Sequence, residues 1–376
     1  MKRWMRYALA AAAAAGLGYA AWSRSGRKPP EEPMELALRE VRSFGEDTGA
    51  GNLLGLQPYM VPADYASEER LQGKLDGYLT AARARGFLTE KTVVVLPEYL
   101  GTWLVVAREK ASVYRAETTD EATLTVALSN LPGFVGRLRF TDSATRKALF
   151  QMKARSMAAI YNRVFSQLAR EYAVTIAAGS ILLPNPRVEG GSIVIGRGPL
   201  YNVSVVYGPD GRARAPVVRK AFLIEEEKPF LSAGEVEALP VFDTPAGRLG
   251  VLVCADAWYP ESYQVLRKKG AEVIAVPSFL RPDNAWERPW RDAKAAPGEV
   301  ITEGEAWMRY ALAGRMKESA ARAGINVFLR GKLWDLGSDG QATGVLGDEV
   351  YTCPRVDGAV MMNLWLTPKG EEKQRK

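Results

Sequence analysis

Short β-branched runs of strand length alternate along this chain with longer stretches of helical period, and that alternation confines it to layered α/β architectures. Asn52 to Met60 reads as a first strand and Ala66 to Arg85 as a helix, followed by a buried strand from Thr92 to Leu96 that ends at Pro97-Glu98-Tyr99. From Thr145 to Tyr172 the apolar positions, among them Leu149, Met152, Ile160, Val164 and Leu168, recur at helical spacing. Ala173 to Ala178 and Val203 to Tyr207 follow as strands, the second running into the tight turn Gly208-Pro-Asp-Gly211. Leu249 to Val253, Glu272 to Val276 and Asn326 to Leu329 are further strands, and Glu303 to Ala323 reads as one helix. Neither an internal repeat nor a phosphate-cradling glycine loop is present. Thr102 to Ser143 and Arg281 to Thr302 resist regular assignment and read as functional loops or lids, with Trp103, Phe134, Trp286 and Trp290 as specificity elements or packing anchors.

Composition narrows the chemistry. The 376 residues include no histidine, which excludes Ser-His-Asp and Cys-His mechanisms, histidine-ligated metals and imidazole switches. The two cysteines, Cys254 and Cys353, are too few for a disulfide scaffold or a cysteine zinc site, so neither a metal nor a cofactor is expected. The formal charge of +7 is local: six basic residues and no acids lie in residues 1–28, which leaves 44 basic against 43 acidic residues elsewhere. With no basic, aromatic-interleaved stripe in the body, nucleic acid is not an expected partner.

Residues 1–28 form a leader with a basic start at Lys2, Arg3 and Arg6, an alanine-rich apolar run from Tyr7 to Trp22, and a basic exit through Lys28. Sixteen apolar residues fall short of the ~20 that span a bilayer and exceed many cleaved signals. An uncleaved transmembrane anchor is the preferred reading, with secretion after signal cleavage as the alternative and the side of the membrane undecided by the matched charges. A proline-bearing linker at residues 29–34 then leads to one domain over residues 35–376.

Three ionisable residues stand where a cleft would want them. Cys254 follows a short apolar run and precedes Pro260-Glu261, a helix start, so its thiol is presented at a strand-to-helix junction where it can be activated. Glu98 ends the strand Val93-Val-Val-Leu96 through Pro97, where partial desolvation raises a carboxylate toward general-base range. Lys220 follows Val217-Val-Arg219 on the arm returning from the Pro209-Asp-Gly211 turn. Each alone has a plain structural reading: a buried thiol, a strand-end cap, a solvated edge charge.

Together and in this order they resemble the nitrilase-like carbon-nitrogen hydrolases. The resemblance rests on Leu96-Pro-Glu98, on Tyr201-Asn-Val-Ser-Val-Val-Tyr-Gly-Pro-Asp-Gly211 leading to Lys220, on Cys254-Ala-Asp256 through Pro260-Glu261, and on Gly179-Ser180; it spans roughly Asn52 to Val345. It implies a four-layer αββα sandwich behind the apolar leader helix, and a Glu-Lys-Cys site. In that site Glu98 is general base and acid, Lys220 stabilises the oxyanion with the backbone N–H of Ala255, and Cys254 is the nucleophile. The substrate implied is a small amide or carbamoyl compound, less readily a nitrile, and the assembly a homo-oligomer. Departures exist: Ala221 and Trp258 stand where many members carry histidine and arginine, and Lys228 stands where many carry a second glutamate. A one-residue shift nominates Glu227 for that role, against the alternative of a solvated run Glu225-Glu226-Glu227. Trp258 and Tyr99 are candidate substrate contacts. A membrane-associated N-acyltransferase using the same acyl-cysteine, or a silent binding module of this fold, are the competing functions.

Overall fold

The structure, a computed structural model, describes residues 2–138, 144–290 and 300–368. Two six-stranded sheets carry the architecture. The first runs in the order Leu38–Phe44, Ala359–Trp365, Asn52–Gln57, Thr92–Leu96, Thr175–Ala178, Val206–Tyr207. The second runs Val241–Thr244, Gly247–Val251, Val273–Ser278, Ala323–Phe328, Thr343–Leu346, Glu349–Thr352. The two-residue period of a strand sorts its side chains between two cores. Val93 and Val95 join Val251, Ile325 and Val327 between the sheets, whereas Val94 and Leu96 face the helices Glu68–Ala84 and Ala144–Tyr172 with Leu75, Leu79, Phe165 and Leu168. Pro260–Lys268 and Leu312–Ser319 cover the outer side of the second sheet, where Tyr263, Leu266 and Met316 are buried. Helix, sheet, sheet and helix thus stack in four layers.

At the centre of each sheet the strands are parallel. Asn52–Gln57, Thr92–Leu96 and Thr175–Ala178 pair with Leu53 opposite Val93 and Leu96 opposite Ala178. Gly247–Val251, Val273–Ser278 and Ala323–Phe328 pair likewise. Parallel strands release their chains at a common carboxyl end, the usual place for a ligand site in open α/β sheets.

Several expectations are revised. The single helix read from Glu303 to Ala323 is two, Glu303–Tyr310 and Leu312–Ser319, because Ala311 leaves helical geometry at ψ −148°. Gly314 permits the break: a Cβ there would lie 1.8 Å from the Arg309 carbonyl oxygen. Val203 to Tyr207 divides into Leu200–Ser204, in a three-stranded sheet, and Val206–Tyr207, in the first large sheet, with the Val205 carbonyl accepting from the Ala178 N–H at 3.0 Å. The stretch from Thr102 to Ser143 folds, as far as it is described, into a 3₁₀ turn Thr102–Val106 and helices Ala111–Arg115, Thr119–Ser129 and Leu131–Val135. Apolar residues on Thr119–Ser129 point both ways, Val126 inward and Leu124 and Leu128 outward, so no one-sided period advertises the helix. In the second irregular stretch only a short turn, Ala285–Glu287, is regular among the described residues; Pro297 lies outside them.

The leader forms a helix, Lys2–Arg24. Among the described residues no helix is long and apolar enough to cross a membrane, so the expectation of a transmembrane anchor is not upheld. Nine of its residues are alanine, whose single methyl carries little transfer energy. Its exit is tied down. Lys110 donates through Nζ to the carbonyls of Trp22 and Ser25, and the Ala111 N–H donates to the Gly26 carbonyl at 2.8 Å. Arg27 pairs with the buried Glu109 at 3.0 Å and donates to the Arg108 and Ser129 carbonyls at 2.9 and 3.1 Å.

Candidate active site

Segments leaving two parallel strands, Thr92–Leu96 and Gly247–Val251, converge with one leaving the antiparallel strand Val218–Arg219. Thr92–Leu96 ends at Pro97, and the next residue, Glu98, is 1 % exposed. Tyr99 takes φ 61°, which turns the chain sharply. The Ser180 hydroxyl fixes the turn by accepting the Tyr99 N–H at 2.8 Å, while the Ser180 carbonyl accepts the Gly101 N–H at 2.8 Å. Gly179, at φ +68°, admits this approach, since a Cβ there would sit 2.2 Å from the Pro97 carbonyl oxygen. Lys220 follows the two-residue strand Val218–Arg219, which pairs with Leu200–Ser204.

The carboxylate and ammonium meet at 2.8 Å between Glu98 Oε1 and Lys220 Nζ. Lys220 also reaches Glu227 Oε2 at 2.8 Å. Asn202, from the neighbouring strand, donates through Nδ2 to Glu98 Oε1 at 2.8 Å and to Glu227 Oε1 at 3.3 Å. The Tyr99 hydroxyl donates to Glu227, and the Ile224 N–H donates to Glu227 Oε2 at 3.1 Å. Glu227 is therefore buried in the site; Glu225 and Glu226 are exposed, the former paired with Lys228 on the surface.

Cys254 begins a 3₁₀ turn, Cys254–Trp258, just past Gly247–Val251. Its φ of 52° is strained for a residue with a Cβ, a cost of order 1–3 kcal/mol that the surrounding fold must offset. Asp256 supplies part of the hold. Its Oδ2 accepts the Val253 N–H at 3.1 Å, and its Oδ1 accepts the Ala221 and Phe222 N–H groups at 2.9 and 2.8 Å. One buried carboxylate thus joins the turn bearing Cys254 to the arm bearing Lys220. The Cys254 thiol approaches the Phe279 carbonyl at 3.9 Å, beyond the end of the strand Val273–Ser278. Ala255 is the next residue of the same turn.

Burial dominates the electrostatics. It raises Glu98, whose neighbour Lys220 opposes the shift while Glu227 adds to it. It pushes the Cys254 thiol well above its ordinary range; the negative Glu98 adds to the shift and Lys220 opposes it. For Lys220, burial alone would lower the pKa, but Glu98, Cys254, Glu227 and Tyr99 together hold it well above the lysine range. The resting site is consequently a charged lysine, a neutral thiol, and a Glu98 that accepts a proton more readily than a solvated glutamate. Burial likewise raises Asp256, to about 7, against its backbone hydrogen bonds.

Of the residues singled out in the sequence, Glu98, Lys220, Cys254, Glu227 and Tyr99 come together. Trp258 packs its ring on Trp290 at 6.0 Å and edge-on to Trp307 at 4.9 Å, and so belongs to an aromatic stack continuing to Tyr310. Tyr99 lies edge-on to Phe279 at 5.9 Å. Asn202 and the Phe279 carbonyl went unassigned in the sequence: a polar residue inside a buried strand was the only available signal for the first, and a backbone oxygen leaves none. Cys353 is buried elsewhere, unpaired, its thiol pushed up to about 12 by burial.

The family model described as carbon-nitrogen hydrolase matches residues 81–296, more than half of the chain. A nitrilase of Pyrococcus abyssi is 32% identical over 136 residues, which cover 36% of this chain and 46% of that protein. An omega-amidase of Danio rerio is 31% identical over 124 residues, covering 31% and 40%. The chain spans less than half the length of these curated relatives. Among solved structures, a double mutant of the amidase from Nesterenkonia sp. AN1 in complex with acrylamide superposes with a TM-score of 0.53 at 15% identity, over 89% of this chain and 97% of that one. At that identity the likeness concerns the fold.

Proposed function

The chain belongs to the carbon-nitrogen hydrolase family, and from that premise we propose that it hydrolyses a non-peptide C–N bond of a small amide or carbamoyl compound through an acyl-thioester on Cys254. The observation that carries this reading is the meeting of Glu98, Lys220 and Cys254, all buried, beside the carboxyl ends of the strands Thr92–Leu96 and Gly247–Val251.

Glu98 takes the thiol proton as the sulfur attacks the carbonyl carbon, so that no free thiolate need persist in the buried site. Negative charge moves to the substrate oxygen. Lys220, held protonated by its acidic neighbours, and the Ala255 N–H stabilise it. Protonated Glu98 then gives its proton to the departing amine as the C–N bond breaks. Water enters, Glu98 removes its proton, and the resulting attack releases the carboxylic acid and restores the thiol. The raised pKa of Glu98 suits a group that must hold and return one proton in each half-reaction. Histidine is not required.

Intact-protein mass spectrometry of the wild type and of Cys254→Ala, after incubation with a panel of amides, nitriles and acyl donors, tests this. A Cys254-dependent acyl adduct that water removes supports hydrolysis. An adduct discharged by an amine but not by water would replace hydrolysis with acyl transfer, the reading that a membrane-directed leader favours. Neither adduct nor product would leave a silent binding module. The basic, acid-free leader supports, within this reading, an association with a membrane surface.

A further inference from the structure

Large apolar side chains are exposed at fourteen positions among the described residues, and ten of these lie on two adjoining segments. Six are on the leader helix: Trp4, Met5, Tyr7, Leu9, Leu17 and Trp22. The other four, Leu124, Leu128, Leu131 and Val135, are on the short helices Thr119–Ser129 and Leu131–Val135. Tyr19 joins the two groups, since its hydroxyl donates to the Leu128 carbonyl at 3.0 Å and accepts the Leu131 N–H at 2.8 Å. Lys110 on the leader's last carbonyls and Arg27 on Glu109, Ser129 and Asn130 clamp the same junction. The end of the rod is therefore hydrogen-bonded directly to the face.

Charge identifies what covers them. The leader carries Arg3 and Arg6 near one end and Arg24, Arg27 and Lys28 at the other, with no acid between, and Arg137 follows the second short helix. At 100° per residue, Trp4, Leu9 and Leu17 point to different sides of the rod. Large apolar side chains on several sides of the helix call for an apolar medium around it rather than one groove. The run Tyr7 to Trp22 is only about 24 Å long, against a hydrocarbon core of roughly 30 Å. A second copy of the chain would set these basic ends against their like. Anionic headgroups above an acyl layer satisfy both the apolar circumference and the basic ends, and Trp22 sits at the exit, where aromatic rings favour the interface.

We propose that the leader helix and the Leu124–Leu128–Leu131–Val135 face form a single surface that seats this protein on an anionic phospholipid bilayer, the helix inserted and the face resting at the headgroup boundary. The proposal rests on the reading of the leader as membrane-directed and is independent of the chemistry at Cys254. Seating through both parts fixes the domain's attitude to the bilayer, which a lone tether would leave free.

Flotation of the full chain with vesicles of phosphatidylcholine alone, or mixed with phosphatidylglycerol, tests it. The comparison is between wild type, Leu124→Glu/Leu128→Glu and Trp4→Glu/Leu9→Glu, each checked for native circular dichroism. Wild type is expected to float chiefly with the anionic vesicles, and each pair of changes to weaken partition by about tenfold or more. Leu131→Ser/Val135→Ser provides the same reading should the first pair not fold. Wild-type flotation by the Leu124/Leu128 pair, with loss in the Trp4/Leu9 pair, overturns the composite surface and leaves the leader as a tether. Failure of wild type to float on either vesicle overturns both readings, as does a stable dimer that Leu124→Glu/Leu128→Glu dissociates.

Discussion

Glu98, Glu227 and Lys220 crowd two acidic groups and one basic group into a site closed to solvent, and burial, opposed by Lys220 and reinforced by Glu227, sets how readily Glu98 holds a proton. Because Glu98 is raised, the acid limb of a kcat/KM profile is expected above the ordinary glutamate value of about 4.3. Glu227 contributes to that rise, so Glu227→Gln is expected to move the limb to lower pH; an unmoved limb would remove Glu227 from the proton's control. Cys254→Ala should leave no turnover in a folded protein. Glu98→Gln should lose about 10²–10⁴-fold in rate, and Lys220→Ala about 10²–10³-fold in kcat, as read by amide hydrolysis under single-turnover conditions. Glu98 and Cys254 were legible because each follows an apolar run of strand length, whereas Lys220, on a returning arm, was legible only through the resemblance that the three make together. Asn202 was not, because burial inside a strand is a property of the neighbours rather than of the residue.

Asp256 makes the 3₁₀ turn of Cys254 and the arm of Lys220 behave as one element, through three backbone N–H donors on one carboxylate. Asparagine would present an NH₂ to some of those donors at a cost of about 1–3 kcal/mol. Asp256→Asn is thus expected to lower kcat more than KM and to lower the unfolding midpoint. Its pH dependence has a definite sign. Burial lifts Asp256 from 3.8 to about 7, so between those values the folded protein keeps a proton that the unfolded chain has released. Its contribution to stability therefore falls as pH rises through that window and is constant above it. Denaturant titrations at several pH values should show a shallower fall in Asp256→Asn. The strands on either side of this staple were readable from β-branched runs. The break at Ala311 and the short helices after Thr102 were not, since they depend on a glycine's clearance and on packing from both sides.

For the molecule as a whole, the leader is more closely joined to the domain than its sequence suggests. Arg27, inside the expected leader, faces Glu109, whose side chain is fully buried and shared with Lys153 at 2.6 Å and Asn130 at 3.0 Å. Arg27→Ala is expected to destabilise the folded domain by about 1–3 kcal/mol, seen as a lower midpoint in thermal unfolding, whereas Arg6→Ala should leave it unchanged. Composition located the leader's charge but not this joint, which is made by residues more than eighty positions apart. The sheet holds a comparable long-range dependence. Leu38–Phe44 is an edge strand whose ladder partner, Ala359–Trp365, lies between it and Asn52–Gln57. At about 5–20 residues per second of synthesis, the first strand waits roughly 20–60 s for a partner not yet made. Until Ala359–Trp365 leaves the ribosome, Leu38–Phe44 has no ladder partner in its sheet and the facing edge of Asn52–Gln57 is equally unpaired, two open edges of the kind along which nascent chains associate.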